Sequence, residues 1–193
     1  MKILFATNNA HKLSEVASLL GEGYDLVTLR DCGVTEEIPE NEPTLEGNAL
    51  IKARYLHERT GLDCFADDTG LEVVALDGAP GVRSARYATD GHDFEANNAL
   101  LLKNLEGMED RRARFRTVIA LIEDGREILF EGIVEGHIAL APSGGEGFGY
   151  DPLFIPEGHD VSFAQMSQLQ KGAISHRGRA VRKLVEYLRS DRK

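Results

Sequence analysis

Two periodicities of apolar positions divide the chain. Residues 2–6 are apolar from Ile3 onward and turn polar at Thr7, which predicts a short buried strand. Residues 12–20 place Leu13, Val16, Ala17 and Leu20 at helical spacing, and residues 24–29 form a second strand candidate. The acidic, Pro-bearing stretch 35–43 follows neither pattern and reads as a loop. A long helix is expected over 44–60, with Leu45, Ala49, Ala53 and Leu56 as its apolar stripe.

Further along, residues 64–66 and 71–76 read as strands flanking Asp67-Asp68-Thr69-Gly70, and 94–105 as a helix. The strongest local signal is a pair of strand-like stretches, 113–122 and 127–138, joined by Asp124-Gly125. That dipeptide is a favoured hairpin turn, so the pair is expected to be antiparallel. Residues 142–152 carry Gly144, Gly145, Gly147 and Gly149, a loop composed for close backbone approach. A last helix over 178–189 aligns Ala180, Leu184, Val185 and Leu188 on one face. Strand and helix alternate early and a hairpin follows late. This order implies an α/β fold, a mixed twisted sheet with flanking helices whose hairpin strands extend into a second lobe. No repeat or linker interrupts it, so residues 1–193 are expected to form one domain.

Composition narrows the partners. A chain of 193 residues can bury a core without disulfides or structural metal, and 42% hydrophobic with 28% charged residues gives no case for disorder. The longest apolar run, 118–122, is far short of the roughly 20 residues that span a bilayer. The strand-like start is too short for a signal-peptide core, so no membrane association or export is expected. Cys32 and Cys64 lack the spacing of a disulfide framework or zinc site, which suits a reducing cytoplasm. The net charge of −10 opposes binding to nucleic-acid polymers. Any phosphate must therefore be held by local cations.

Five segments could carry chemistry. Thr7-Asn8-Asn9-Ala10-His11-Lys12 lies where the first strand gives way to a helix, and free N–H groups there favour anions. An ordinary asparagine N-cap explains the same segment equally well. Asp67-Asp68-Thr69-Gly70 sets two carboxylates beside a hydroxyl; neighbours in an extended strand face opposite sides, so one of the two acids is expected to be functional and the other structural. Glu36, Glu37, Glu40 and Glu42 crowd the loop before the long helix, on which Glu46 and Lys52 follow. A carboxylate of that loop meeting Asp68 would form an oxygen-rich Mg²⁺ site completed by phosphate and water. Gly147-Phe148-Gly149-Tyr150-Asp151-Pro152 alternates glycine with aromatics, which suits a base stacked on a ring with its edge hydrogen-bonded. Ser175-His176-Arg177, shortly after Lys171, supplies dense donors before the last helix.

Taken together these segments resemble the inosine triphosphate pyrophosphatase family, including bacterial enzymes that hydrolyse XTP, ITP and dITP. The likeness runs in order through the 7–12 loop, residues 44–53, Asp67-Asp68-Thr69-Gly70-Leu71, the 80–87 stretch Pro-Gly-Val-Arg-Ser-Ala-Arg-Tyr, residues 147–152 and Ile174-Ser175-His176-Arg177-Gly178. Thr69 stands where the family often has serine, and Gly47 where a carboxylate is expected before Asn48. The resemblance implies an elongated fold with a deep cleft between two lobes, a homodimer, Mg²⁺ as cofactor and a nucleoside triphosphate as substrate. It makes Asp68 the catalytic base and a metal ligand, with Glu40 as the other metal carboxylate. Thr7, Asn8, Asn9, Ala10, His11, Lys12, Lys52, Thr69 and Lys171 would hold the triphosphate and sugar. Phe148, Gly149, Tyr150, Asp151, His176 and Arg177 would form the base pocket. The rivals are a nucleotide-binding module without turnover and a related pyrophosphatase acting on pyrimidine or modified nucleotides.

Overall fold

The computed structural model describes residues 2–36 and 38–190; Glu37 of the acidic loop lies outside the described residues. The elements run β1 (Lys2–Phe5), α1 (Ala10–Leu20), β2 (Asp25–Thr28), α2 (Leu45–Thr60), β3 (Cys64–Val73), β4 (Pro80–Gly81), α3 (Phe94–Asn104), β5 (Arg112–Glu123), β6 (Arg126–Ile138), β7 (Phe154–Pro156), α4 (Gln168–Ile174) and α5 (His176–Ser190). The strands form one mixed sheet in the order β2-β1-β3-β5-β6-β7, with β4 paired to β3. β1 is parallel to β2 and β3, whereas β3–β4 and β6–β7 are antiparallel. The α/β class with a mixed sheet and flanking helices is therefore as the sequence predicts.

The chain folds into two compact units. Among the described residues, the first comprises 2–36, 38–68, 117–132 and 177–190; the second comprises 69–116 and 133–176.

In the first unit the sheet is covered on both faces. Phe5, Phe65, Ile119 and Leu121 pack with Val16 and Leu20 of α1 and with Ala180, Val181, Leu184 and Leu188 of α5. Their neighbours in sequence, Leu4, Cys64, Ala66, Val118, Ala120 and Ile122, pack with Leu45, Ala49, Ala53 and Leu56 of α2. A strand buried on both faces has no polar alternation, which is why 118–122 is an unbroken apolar run. Phe5 and Phe65, paired across β1 and β3, stack at 4.6 Å.

In the second unit, Leu71, Val73, Leu101, Leu105, Phe115, Val134, Tyr150, Phe154 and Phe163 belong to a separate core. In the first unit, Asp124 and Gly125 both take positive φ, 49° and 73°, the backbone of a two-residue hairpin turn. Only an antiparallel pair can be closed by so short a connection.

Three elements differ from the sequence expectation. Residues 64–73 form one continuous strand, not two strands about a turn, because ion pairs take up the carboxylates of Asp67 and Asp68. A helix stands at Gln168–Ile174, stabilised by a capping box in which Ser167 and Gln170 each accept the other's backbone N–H. The last helix begins at His176, two residues before the expected start, and runs through Gly178.

Candidate active site

Strand alternation delivers Asp67 and Asp68 to different helices. Asp67 follows the Phe65 face, toward α1 and α5: its Oδ1 accepts from Lys12 Nζ at 3.1 Å, and its Oδ2 lies 3.4 Å from Nε and Nη2 of Arg177. Asp68 follows the Ala66 face, toward α2, where Lys52 Nζ is 3.5 Å from its Oδ1. Lys52 also donates to Glu40 Oε1 at 2.6 Å, so one ammonium bridges a strand carboxylate and a carboxylate of the acidic loop. Asn48, one turn before Lys52, accepts the Glu42 N–H through its Oδ1 at 3.0 Å, and its side chain favours the ionised form of Asp68.

Both carboxylates are almost fully buried, Asp67 at 2% and Asp68 at 7% exposure, yet their acidities diverge. Burial pushes each upward, because a charged carboxylate loses its hydration. At Asp67 the charges of Lys12, Arg177 and Lys52 outweigh burial and hold the group well below the usual carboxylate range. At Asp68 burial prevails over Lys52 and Lys12, and Glu40 adds to it, so the group is more basic than a solvated aspartate. Burial likewise holds Lys12 below an ordinary lysine against the pull of Asp67, whereas at Lys52 the attraction of Asp68, Glu40 and Asp67 exceeds the burial effect.

Local structure aims the lysines. Asn9 caps α1, its Oδ1 accepting the N–H groups of His11 at 3.0 Å and Lys12 at 3.1 Å. Thr7 Oγ1 accepts the Asn9 N–H at 3.1 Å, and Asn8, Ala10 and His11 are exposed at this turn. The cap explanation thus holds for Asn9, while the turn still carries Lys12 to Asp67. On α2, Thr44 Oγ1 accepts the Gly47 N–H and sets the helix phase.

Residues suited to a divalent cation are present, but sparsely. Among the described residues no group of three His, Cys, Asp or Glu side chains could hold a metal ion. Asp68 Oδ2 is buried with no hydrogen-bond partner among the described residues, and Glu40 lies across the same lysine. Two carboxylates, one with an uncommitted buried oxygen, fit Mg²⁺, which is commonly held by one or two carboxylates together with substrate phosphates and water.

A second cluster belongs to the second unit. Asp151 Oδ2 accepts from Lys171 Nζ at 2.7 Å and from the Phe148 N–H at 2.9 Å. Lys171 Nζ lies 5.0 Å from the Phe148 ring centre and 5.7 Å from that of Phe163, within cation–π range. Tyr150 OH donates to the Ser84 carbonyl at 2.7 Å. The His176 ring stacks on Phe115 at 4.5 Å, and Thr69 is half-buried in β3.

Two residues have partners that spacing could not reveal. Lys171, read with the phosphate-binding lysines, pairs with Asp151 and lies over Phe148. Arg177, read with the base loop, is 1% exposed and pairs with Asp67 and Glu15. Glu15 and Asn48 also belong to the cluster around Asp67 and Asp68 and lie outside the chemistry-bearing segments marked in the sequence. Glu15 lies one turn from Lys12 and so on its helix face, and Asn48 is a polar residue adjoining the Leu45–Ala49 stripe; both signals were available.

Buried carboxylates paired with lysines at the middle of a doubly covered strand thus mark the candidate site of an α/β protein with a mixed sheet. The sequence profile described as the Ham1 family matches residues 3–187. The chain belongs to the Ham1 family. It is 54% identical to the dITP/XTP pyrophosphatase of Porphyromonas gingivalis, over 97% of each chain, and 52% identical to that of Christiangramia forsetii, over 97% of this chain and 99% of the relative. Among solved structures, the Ham1 protein of Staphylococcus aureus superposes with a TM-score of 0.90 at 37% identity, covering 100% of both chains. The nucleoside-triphosphatase / dITP/XTP pyrophosphatase of Mycobacterium abscessus superposes with a TM-score of 0.77 at 46% identity, over 95% of this chain and 98% of that one.

Proposed function

We propose that this chain is a dITP/XTP pyrophosphatase. It hydrolyses deaminated purine nucleoside triphosphates, ITP, dITP and XTP, to monophosphate and pyrophosphate, and so keeps them out of DNA and RNA. The observation that carries this reading is the buried carboxylate Asp68, joined to Glu40 through Lys52.

The first cluster takes the triphosphate. Asp68 orients the attacking water and accepts its proton as the water oxygen bonds to phosphorus and the bond between the α and β phosphates breaks. Lys12 and Lys52, with the 7–12 turn and the Thr69 hydroxyl, balance negative charge that spreads over the phosphate oxygens. Glu40 and Asp68 would hold Mg²⁺, which when bound polarises the phosphates. Asp67, committed to Lys12 and Arg177, orients those cations and takes no proton.

The second cluster takes the base. Phe148, Gly149, Tyr150 and Asp151 form a ring-and-edge surface, supported by His176, and Lys171 belongs with them through Asp151. Hypoxanthine and xanthine offer an acceptor at O6 and a donor at N1, whereas adenine reverses both. A pocket matched to the 6-oxo edge leaves buried polar groups unpaired when adenine enters.

In this reading both compact units form one catalytic domain, acting as a homodimer in the cytoplasm on free nucleotides. The net charge of −10 argues against polymer substrates, and among the described residues no helix is long and apolar enough to cross a membrane. The test is pyrophosphate release from ITP, dITP, XTP, GTP, ATP and dUTP with Mg²⁺. A preference for the 6-oxo purines ITP, dITP and XTP over ATP of at least about two orders of magnitude in kcat/KM is expected. Release of orthophosphate and diphosphate, or equal efficiency on ATP, would overturn the reading.

A further inference from the structure

Asn97 and Asn98 stand side by side within α3, where asparagine is a weak helix former because its side chain competes for backbone groups. Each is instead spent on a neighbouring segment. The Asn97 amide donates to the carbonyls of Ala85 at 3.0 Å and Ser84 at 3.4 Å, and its Oδ1 accepts the Ala88 N–H at 2.8 Å. It thereby fixes the turn whose Ser84 carbonyl receives the Tyr150 hydroxyl at 2.7 Å. Asn98 Nδ2 donates to the Gly149 carbonyl at 2.9 Å. The opposite amide assignment would set oxygen against oxygen, so the nitrogen is the atom that faces Gly149. Phe94, one turn earlier on the same face, meets the Phe148 ring at 6.0 Å.

A trans peptide points its carbonyl and its N–H in opposite directions. Holding the Gly149 carbonyl against α3 therefore directs the Tyr150 N–H away from α3. No acceptor among the described residues takes up that N–H. Gly149 itself has φ 62°, in the left-handed region that glycine enters without steric cost, and the Asn98 contact is the hydrogen bond that fixes the orientation of its carbonyl.

We propose that Asn98 is a positioning residue for base recognition: by fixing the Gly149 carbonyl it presents the Tyr150 N–H as a donor to the 6-oxo group of hypoxanthine or xanthine. The proposal rests on the reading that residues 148–151 receive the base. A turned peptide would offer a carbonyl in place of the N–H, which suits the 6-amino group of adenine. Loss of the Asn98 donor therefore costs discrimination more than turnover.

The experiment compares kcat and KM for ITP and ATP in the parent, Asn98→Ala and Asn98→Asp, each checked for fold by circular dichroism and thermal melting. Aspartate keeps the size of asparagine but has no N–H to donate. Both variants are expected to lower the ITP:ATP ratio of kcat/KM by about tenfold, through KM for ITP, with kcat within about threefold of the parent. Should Asn98→Asp fail to fold, Asn98→Leu, close to asparagine in shape and without a donor, takes its place with the same expected loss. A ratio within about twofold of the parent in a folded variant without the donor overturns the proposal. So do equal losses on both nucleotides, which would mark a merely structural role. A parent enzyme with no preference for ITP would instead overturn the base-binding reading, and this proposal with it.

Discussion

Asp67 and Asp68 are consecutive on β3, yet Asp67 pairs with Lys12 of α1 at 3.1 Å and Asp68 with Lys52 of α2 at 3.5 Å. The strand's two-residue period turns one acidic dipeptide into two separate electrostatic sites. The expectation that only one of the two acids serves the chemistry follows the same geometry. Asp67 is held ionised by three cations, while burial leaves Asp68 the more basic of the pair.

Asp68→Asn keeps the shape of the side chain and removes its basicity. We expect kcat for ITP to fall by roughly 10²–10⁴-fold, the scale of general-base catalysis, with nucleotide binding largely kept. Asp67→Asn leaves Lys12 and Arg177 without their buried anion and should act on stability first, by roughly 3–5 kcal/mol. Urea unfolding beside steady-state kinetics separates the two. Near-parental turnover in folded Asp68→Asn would remove this residue from the base role.

Divalent cation removal gives a second check. Chelation with EDTA is expected to abolish pyrophosphate release, and Mg²⁺ to restore it. Glu40→Gln weakens one of two carboxylates that would hold the ion, so the Mg²⁺ concentration for half-maximal rate should rise by about tenfold or more. A Glu40→Gln enzyme with an unchanged Mg²⁺ requirement would move the metal role to another acid of the loop.

Alkaline pH should destabilise the fold in a predictable direction. Burial pushes the Cys64 thiol up to about 12 from an ordinary 9.0, and burial also raises the Tyr150 phenol. Above pH 9 the unfolded chain releases the thiol proton while the folded chain keeps it, so the native state binds more protons and stability falls as pH rises toward 12. The measurement is the urea midpoint between pH 8 and pH 10.5. The same burial predicts that iodoacetamide leaves Cys64 unmodified at pH 8 in the native protein and labels it in urea. Rapid native labelling of Cys64 would contradict its position beneath α2.

The sequence made regular elements legible wherever a local rule decides them. The α2 boundaries follow from Thr44 as cap and Gly61, at φ 65°, as terminator, and Asp124-Gly125 specifies its hairpin. The continuity of β3 was not legible, because Asp-Asp-Thr-Gly has turn composition and only Lys12, Lys52 and Arg177, brought from distant helices, hold its acids within a strand. For the same reason the partners of Lys171 and Arg177 escaped reading. Residue type announces a cation, but which carboxylate it meets is settled by tertiary packing, across 20 residues for Lys171–Asp151 and 110 for Arg177–Asp67.

The glycine loop offers the most local test. A Cβ built on Gly147 would stand 2.1 Å from Asp151 Oδ2 and 3.2 Å from Asp151 Cβ, and Gly147 has φ 74°, where an L side chain costs about 1–2 kcal/mol. Gly147→Ala must therefore expel the Asp151 carboxylate from its place, and with it the bonds to the Phe148 N–H and to Lys171. Two of the groups assigned to the base then lose their support while the first cluster is untouched. KM for ITP should rise by about tenfold with kcat little changed, as for loss of uniform binding. Gly145 is the internal control: it has open space about its Cβ position, and its N–H bond to the Ala164 carbonyl survives substitution. Gly145→Ala should behave as the parent. Equal effects of the two substitutions would mean that general stiffness of the loop, rather than the seat of Asp151, governs binding.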